Sequence, residues 1–313
     1  MTAPFAAGSI SLRLYPHNDL PATKIVEEIT TQAALAVTHG FDGVMTSEHH
    51  GGFHGYMPNP LQMVGFCLEE MPHGWAAPAP LLLPLRPPAL VAEEIAWLAA
   101  RFPGRVGVGV ASGALEADFD IMHVPMDGLT KRFHEGFEEL SGMLNGTDAR
   151  GIADDPAIKA CVEQPIPMVS AAMGFTAVRR AAHFGAGILF DSLSSVERCA
   201  ELTDAFRREG GTGSAILIRR AWVGEPPREQ FEQQLDVYRS YAQAAEKSQW
   251  SLNEMLASDA AAVVDGIVEA AKATGVDALN LRVHVPGVTP EQAREQIVRL
   301  GDEVLPKLRV ALA

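Results

Sequence analysis

The chain has 313 residues, 47% hydrophobic and 20% charged, the balance of a folded globular protein and not of a disordered one. Its 25 Lys and Arg against 39 Asp and Glu leave a net charge of −14, which repels phosphate backbones and anionic lipid and argues against nucleic-acid and membrane-surface partners. Three scattered cysteines, Cys67, Cys161 and Cys199, exclude a disulfide scaffold and a cysteine-rich metal knot.

Apolar runs bounded by Gly or Pro alternate with helix-period segments along the whole chain. Ile10 to Leu14 reads as a strand and Lys24 to Thr38 as a helix, with Gly40 just past its end. Phe41 to Ser47 is the second strand, Leu61 to Met71 a helix behind Pro60, Trp75 to Leu83 the third strand, and Ala89 to Ala100 a helix. Val106 to Val110 is the fourth strand, Leu129 to Leu144 a helix, Ile166 to Ala171 the fifth strand, and Thr176 to His183 a helix. Gly187 to Asp191 and Ala215 to Val223 are the sixth and seventh strands, with helices Ser195 to Arg208 and Arg228 to Ala245 behind them. Ala260 to Thr274 is a helix, Asp277 to Val285 the eighth strand, and Pro290 to Leu305 the closing helix.

Eight strand–helix units over residues 1–313 predict one (β/α)8 TIM barrel domain. An open doubly wound sheet alternates in the same way, but no Gly-x-Gly-x-x-Gly opens the first helix. Two connections, Ala111 to Gly128 and Asn145 to Gln164, are longer than such units need. Met1 to Ser9 lacks the pattern of a signal peptide, and the longest uncharged apolar stretch, Gly74 to Leu85, is too short to span a bilayer. A cytoplasmic protein is the expectation.

Barrel active sites are built at the C-terminal ends of the strands. There the second strand runs into Ser47-Glu48-His49-His50-Gly51-Gly52-Phe53-His54-Gly55-Tyr56. Its imidazoles suit proton transfer, metal binding or simple support of the loop. Neighbouring histidines on a strand point to opposite sides and no His-Glu-x-x-His helix accompanies them, which disfavours a metal. Gly107 and Gly109 clear one face of the fourth strand for a flat ligand or a second backbone. Met173-Gly174-Phe175-Thr176 opens a helix, a place for a phosphate or for capping by Thr176. Arg282 and His284 share one face of the last strand, where they line the mouth or form a core ion pair; Arg219, Arg220, Trp222 and Asp191 raise the same question. No Gly-x-Ser-x-Gly elbow or Walker loop is present.

Gly40-Phe41-Asp42-Gly43-Val44 with Glu48-His49-His50 resembles the second strand of the bacterial luciferase-like flavin-dependent monooxygenases. The resemblance continues through Asn59-Pro60, Leu83-Pro84-Leu85-Arg86-Pro87-Pro88, Gly104 to Val110, Asp118-Phe119, Pro167 to Gly185 and Thr274 to Leu305. It implies a (β/α)8 barrel that binds reduced FMN, supplied by a separate flavin reductase, and oxygenates a small organic substrate, usually as a dimer. It assigns proton handling to His49 with Glu48 beside it. Ala79 and Pro80 fall beneath the flavin ring, where the family often has a cis peptide. Before proline that geometry costs only about 0.5–1 kcal/mol. The phosphate is expected against Met173, Gly174, Phe175 and Thr176, with Ser112 and Gly113 opposite. Luciferase alpha chains have an arginine and a cysteine where this chain has Ser112 and Ala111, and an acidic residue and a serine at Met173 and Gly174. The departures leave room for the related branch that transfers hydride with a deazaflavin, and for a non-catalytic flavin-binding barrel. A homodimer through the helices at Leu61 to Met71 and Ala89 to Ala100 is expected, with Val91, Ile95, Trp97 and Leu98 as its apolar surface.

Overall fold

The computed structural model describes residues 2–53, 56–241 and 255–312, with the backbone alone at 240, 241 and 255–258. His54 therefore lies outside the described residues. The strand segments are β1 Ile10–Arg13, β2 Gly43–Thr46, β3 Trp75–Pro78, β4 Leu81–Leu82, β5 Val108–Ala111, β6 Met168–Ala171, β7 Gly187–Leu189, β8 Ala215–Val223, β9 Met255–Ser258 and β10 Ala278–Arg282. All pair in parallel, in the order β3-β2-β1-β10-β8-β7-β6-β5-β4. β3 and β4 are halves of one strand, interrupted at Ala79-Pro80, whose peptide is cis as expected. The order therefore runs round a ring, and a bridge from Ala76 to Val106 helps to close it. Eight strands form the barrel as the sequence predicts; β9, paired to the far end of β8, is an addition to it.

The helices are α1 Ala22–Thr38, α2 Pro60–Glu70, α3 Pro88–Arg101, α4 Glu116–Ile121, α5 Leu129–Leu144, α6 Pro156–Glu163, α7 Phe175–His183, α8 Val196–Arg208, α9 Arg228–Tyr241, α10 Ala260–Thr274, α11 Pro290–Arg299 and α12 Leu305–Leu312. Their starts follow local chemistry. Asn59, Asp155, Ser195 and Asp259 accept hydrogen bonds from the first free N–H groups of α2, α6, α8 and α10, and Thr289 with Gln292 forms a capping box on α11. The two long connections are not plain loops. One carries α4 and the other a 3-10 turn, Arg150–Ile152, and α6, started by Asp155 with Pro156 in its first turn. The closing helix does not stop at Leu305: a π turn, Leu300–Val304, joins α11 to α12. The predicted end of the helix at Arg228 to Ala245 lies outside the described residues beyond Tyr241.

Strand residues alternate between two cores. One face packs on the helices in the larger cluster, with Leu12, Val44, Val108, Ile188 and Leu281 fully buried. The other fills the barrel with Phe5, Met45, Trp75, Ala77, Ala79, Val169, Leu189, Ile216, Ile218 and Ala278. Phe5 meets Trp75 edge to face at 5.2 Å and plugs the N-terminal end. The glycines of the fourth strand serve this packing: a Cβ at Gly107 would lie 2.7 Å from Phe5, and one at Gly109 2.7 Å from the Ala79 Cα. They admit protein atoms, which decides between the two readings of that strand.

Candidate active site

The C-terminal mouth divides into two arcs joined at β2. Past β2, residues 47–50 form a tight knot. The Glu48 carboxylate is completely buried and fully engaged. Oε2 accepts the Leu82 N–H at 2.6 Å, and Oε1 accepts from Arg86 Nη2 at 3.0 Å and lies 2.9 Å from His50 Nε2. The acid thus ties the end of β2 to β4 and to the segment after it. Such charge-assisted bonds are what allow a carboxylate to be buried.

His49 is held differently. Its Nδ1 lies 2.7 Å from Asp118 Oδ2, and Asp118 Oδ1 accepts the His50 N–H at 2.7 Å. Asp118 is fully buried, whereas His49 retains 21% side-chain exposure. An ionised carboxylate only accepts, so the neutral imidazole carries its hydrogen on Nδ1 and presents the Nε2 lone pair. The ring is fixed by Phe53 and Tyr56, with centroids at 4.8 and 4.5 Å. Asp118 comes from α4, which seats against two glycines of positive φ: a Cβ on Gly113 would meet the Phe119 ring at 2.9 Å and one on Gly51 would meet Ile121 at 2.6 Å.

The neutral arc comprises the ends of β4, β5 and β6, which are neighbours in the sheet. Along it stand Ala79 and Pro80 at the break before β4, Ser112 and Gly113 after β5, and Met173, Gly174, Phe175 and Thr176 between β6 and the first turn of α7. Thr176 is exposed and does not cap α7; the N-cap is Gly174, which has no side chain to offer, so the first N–H groups meet no side-chain acceptor. A Cβ on Gly174 would meet nothing within 4 Å. Arg198 of α8 stacks over the Phe175 ring at 4.7 Å and donates from Nη1 to Glu201 Oε2 at 3.0 Å, and among the described residues its buried Nε has no hydrogen-bond partner. Uncapped N–H groups, open space and an unused guanidinium nitrogen together fit a phosphate group. The sequence singled out the helix start; Arg198, on the helix after the next strand, carried no local signal.

The cationic arc lies opposite, on β1, β10 and β8. Arg13 pairs in register with Arg282, and Arg282 with Arg220, so three arginines stand side by side. The two-residue period places them inward above Ser11, Asn280 and Ile218. All three are buried. Arg13 Nε donates to Asn280 Oδ1 at 2.8 Å, Arg220 Nη2 to Gln234 Oε1 at 2.9 Å, and Arg282 Nε to the His284 carbonyl at 3.0 Å. Arg282 also lies 4.2 Å over Tyr15 and reaches the Tyr238 hydroxyl, which is 2.9 Å from that of Tyr56. Among the described residues Arg282 is therefore in no core ion pair. His284 shares its face and stacks on Tyr15. Asp191, at the other flank, is used locally, accepting from the Leu193 and Ser194 N–H groups at 2.8 and 2.7 Å.

A parallel barrel thus brings a histidine–carboxylate pair, an uncapped helix start and an interior row of arginines to one mouth, the end where barrel active sites are built. The chain belongs to the luciferase-like monooxygenase family, whose model matches residues 11–303. An uncharacterised protein of Mycobacterium tuberculosis is 38% identical over 107 residues, which cover 33% of this chain and 37% of that one, so the match spans little more than a third of the relative. Among solved structures, the monooxygenase RslO1 from Streptomyces bottropensis superposes with a TM-score of 0.77 at 18% identity over 95% of this chain and 99% of that one. The oxygenating constituent of 3,6-diketocamphane monooxygenase from Pseudomonas putida, solved in complex with FMN, gives 0.75 at 17% identity over 96% and 98%. An F420-dependent secondary alcohol dehydrogenase, solved with an F420-acetone adduct, gives 0.73 at 15% identity over 98% and 99%. At such identities the likeness is one of fold, and it includes barrels of both coenzyme types. Among the described residues no helix is long and apolar enough to cross a membrane.

Proposed function

We propose that this chain is a single-domain flavin-dependent monooxygenase that takes reduced FMN at the neutral arc and a small organic substrate beside it. The His49–Asp118 pair carries this reading: a fixed imidazole with Nε2 presented, at the border of an arc whose residues accept a flat neutral group and a phosphate. The first N–H groups of α7 and Arg198, with Ser112 and Gly113 across from them, would hold the phosphate, and Ala79-Pro80 would face the ring. The bound flavin, reduced by a separate reductase, supplies the electrons that activate oxygen. His49 Nε2 holds and transfers the proton, Asp118 keeps Nδ1 protonated, and Glu48 fixes the strand end that aims the ring. Arg198 takes the part that the arginine at Ser112 plays in luciferase alpha chains, which answers the departure there. Self-association through α2 and α3 completes the proposal. It rests on Phe66, Leu90 and Trp97, all exposed, with Trp97 at 54%. Val91 and Ile95, expected on that surface, are instead in the core. A sedimentation experiment at micromolar concentration is expected to give a dimer.

The deciding experiment titrates the protein separately with FMN and with the deazaflavin coenzyme, following absorbance and fluorescence. FMN binding is expected, weakened about tenfold or more in Arg198→Ala, the loss of a charge-assisted hydrogen bond. Gly174→Leu has room in the fold and is expected to weaken FMN while leaving the melting temperature in place. Deazaflavin binding without FMN binding moves the protein to the hydride-transfer branch.

A further inference from the structure

The interior arginine row has no place in the coenzyme chemistry, and its charge balance is unusual. Arg13, Arg282 and Arg220 are in register on three adjacent strands and buried, and none forms an ion pair with a carboxylate among the described residues. Their acceptors are all neutral: the Asn280 and Gln234 amides, the Met45 sulfur, the His284 carbonyl and the Tyr238 hydroxyl. Arg220 Nε and Nη1 are buried with no acceptor among the described residues. The carboxylates buried at the same mouth, Glu48 and Asp118, are by contrast both partnered. Tyr15, Tyr56 and Tyr238 surround the row: burial opposes ionisation of Tyr15, but Arg282, Arg13 and Arg220 outweigh it and hold that hydroxyl below its ordinary value, whereas burial holds the Tyr56 hydroxyl well above it. Burial lowers the affinity of Arg13 for its proton, and burial together with Arg282 lowers Arg220 to about 10, which leaves Arg220 charged at neutral pH. Unpaired buried charge is costly, and guanidinium forks match planar or tetrahedral oxyanions.

We propose that this row is the substrate's anion subsite: Arg13, Arg282 and Arg220 receive a carboxylate, sulfonate or phosphate group of a small organic acid, with Arg220 Nε and Nη1 as its principal donors. The phenols of Tyr56 and Tyr238, linked to each other and to Arg282, supply further hydrogen bonds at its edge. The assignment rests on the proposed monooxygenase reading for what happens to that acid afterwards. Binding of the anion itself does not require the coenzyme.

Thermal unfolding in sodium sulfate, phosphate or acetate, against chloride at equal ionic strength, tests it. Sulfate and phosphate stabilise compact proteins generally, so the readout is the difference between the parent and Arg220→Met. The parent is expected to show an additional, saturable rise in melting temperature, with half-saturation at least about tenfold weaker in Arg220→Met and intermediate in Arg220→Lys, which keeps the charge without the fork. The anion giving the largest saturable rise identifies the head group. FMN titration of the same variants is expected to match the parent. Equal responses in parent and Arg220→Met overturn the subsite. Loss of FMN affinity in Arg220→Met also overturns it, by giving the row to the coenzyme phosphate. Failure of the parent to bind FMN, with the anion response intact, overturns the coenzyme reading and leaves the subsite standing.

Discussion

The two arcs of the barrel mouth obey opposite rules. On β4, β5 and β6 the interior residues are small and uncharged, and space is limited by van der Waals contact: Gly109 sits where even a methyl group would strike Ala79. On β1, β10 and β8 the inward residues nearest the mouth are the three arginines, and what is scarce among the described residues is a counter-charge. A surface shaped by contact receives a flat neutral group, whereas a surface with surplus charge calls for an anion. His49 stands just past β2, between the arcs.

The largest effect is expected at that border. His49→Ala should keep the fold and the coenzyme and lower turnover by about 10²–10⁴-fold, the range of a lost general acid–base group. Asp118→Asn sharpens the point. Its amide oxygen can still accept the His50 N–H, but its NH2 group faces His49 Nδ1 and favours the hydrogen on Nε2. Turnover should fall, with an altered pH profile and little change in melting temperature. If His49→Ala instead loses stability and FMN affinity together at unchanged turnover per bound coenzyme, His49 only supports the loop.

Within the arcs, stability should move in opposite directions. Gly109→Ala forces a Cβ to about 2.7 Å from Ala79 and should destabilise by about 1–3 kcal/mol. Arg220→Met removes a buried charge that has no counter-ion among the described residues and leaves an apolar chain against Phe231, which already packs on the guanidinium at 4.9 Å. Without added oxyanion it should stabilise by about 1–4 kcal/mol, as replacement of buried ionic groups often does. Urea denaturation measures both, and destabilisation of Arg220→Met would mean that the row is already balanced within the protein.

The barrel was legible because its signals are local: apolar runs bounded by Gly and Pro, Pro60 and Pro156 at helix starts, and Thr289 with Gln292. The break in the third strand was visible only as Ala79-Pro80, and β9 carried no distinct strand pattern. At the site, Glu48-His49-His50 drew attention by composition, yet nothing local distinguishes the buried clamp of Glu48 from the presented ring of His49. That difference comes from Leu82, Arg86 and Asp118, up to 69 positions away. Arg13 passed unnoticed as one charge in an apolar strand. Its meaning lies in its register with Arg282, a neighbour across the closure of the barrel that no spacing in the chain reveals.

The smallest expected effect tests how far the surplus charge governs the ground behind the cationic arc. His17 is buried, with its ring edge on His284 at 4.6 Å, Nδ1 3.1 Å from the Val288 carbonyl and Nε2 2.8 Å from Gln32 Nε2. Gln32 in turn donates to Glu28 Oε1 at 2.9 Å, and Arg294 holds the other oxygen of Glu28. Burial is the main influence and pulls His17 below its ordinary value of 6.5, with Glu28 and the Val288 carbonyl opposing and Arg294 adding to the fall. The native protein therefore binds fewer protons here than the unfolded chain between the lowered value and 6.5. Stability contributed by the neutral ring is complete above 6.5 and is lost as the pH falls from there towards the lowered value. His17→Gln keeps a neutral hydrogen-bonding side chain and should flatten that part of the stability profile, measured as the urea midpoint between pH 7.5 and about 5. A parent profile that rises on acidification through this window would mean that Glu28 prevails over burial and that His17 gains its proton in the fold.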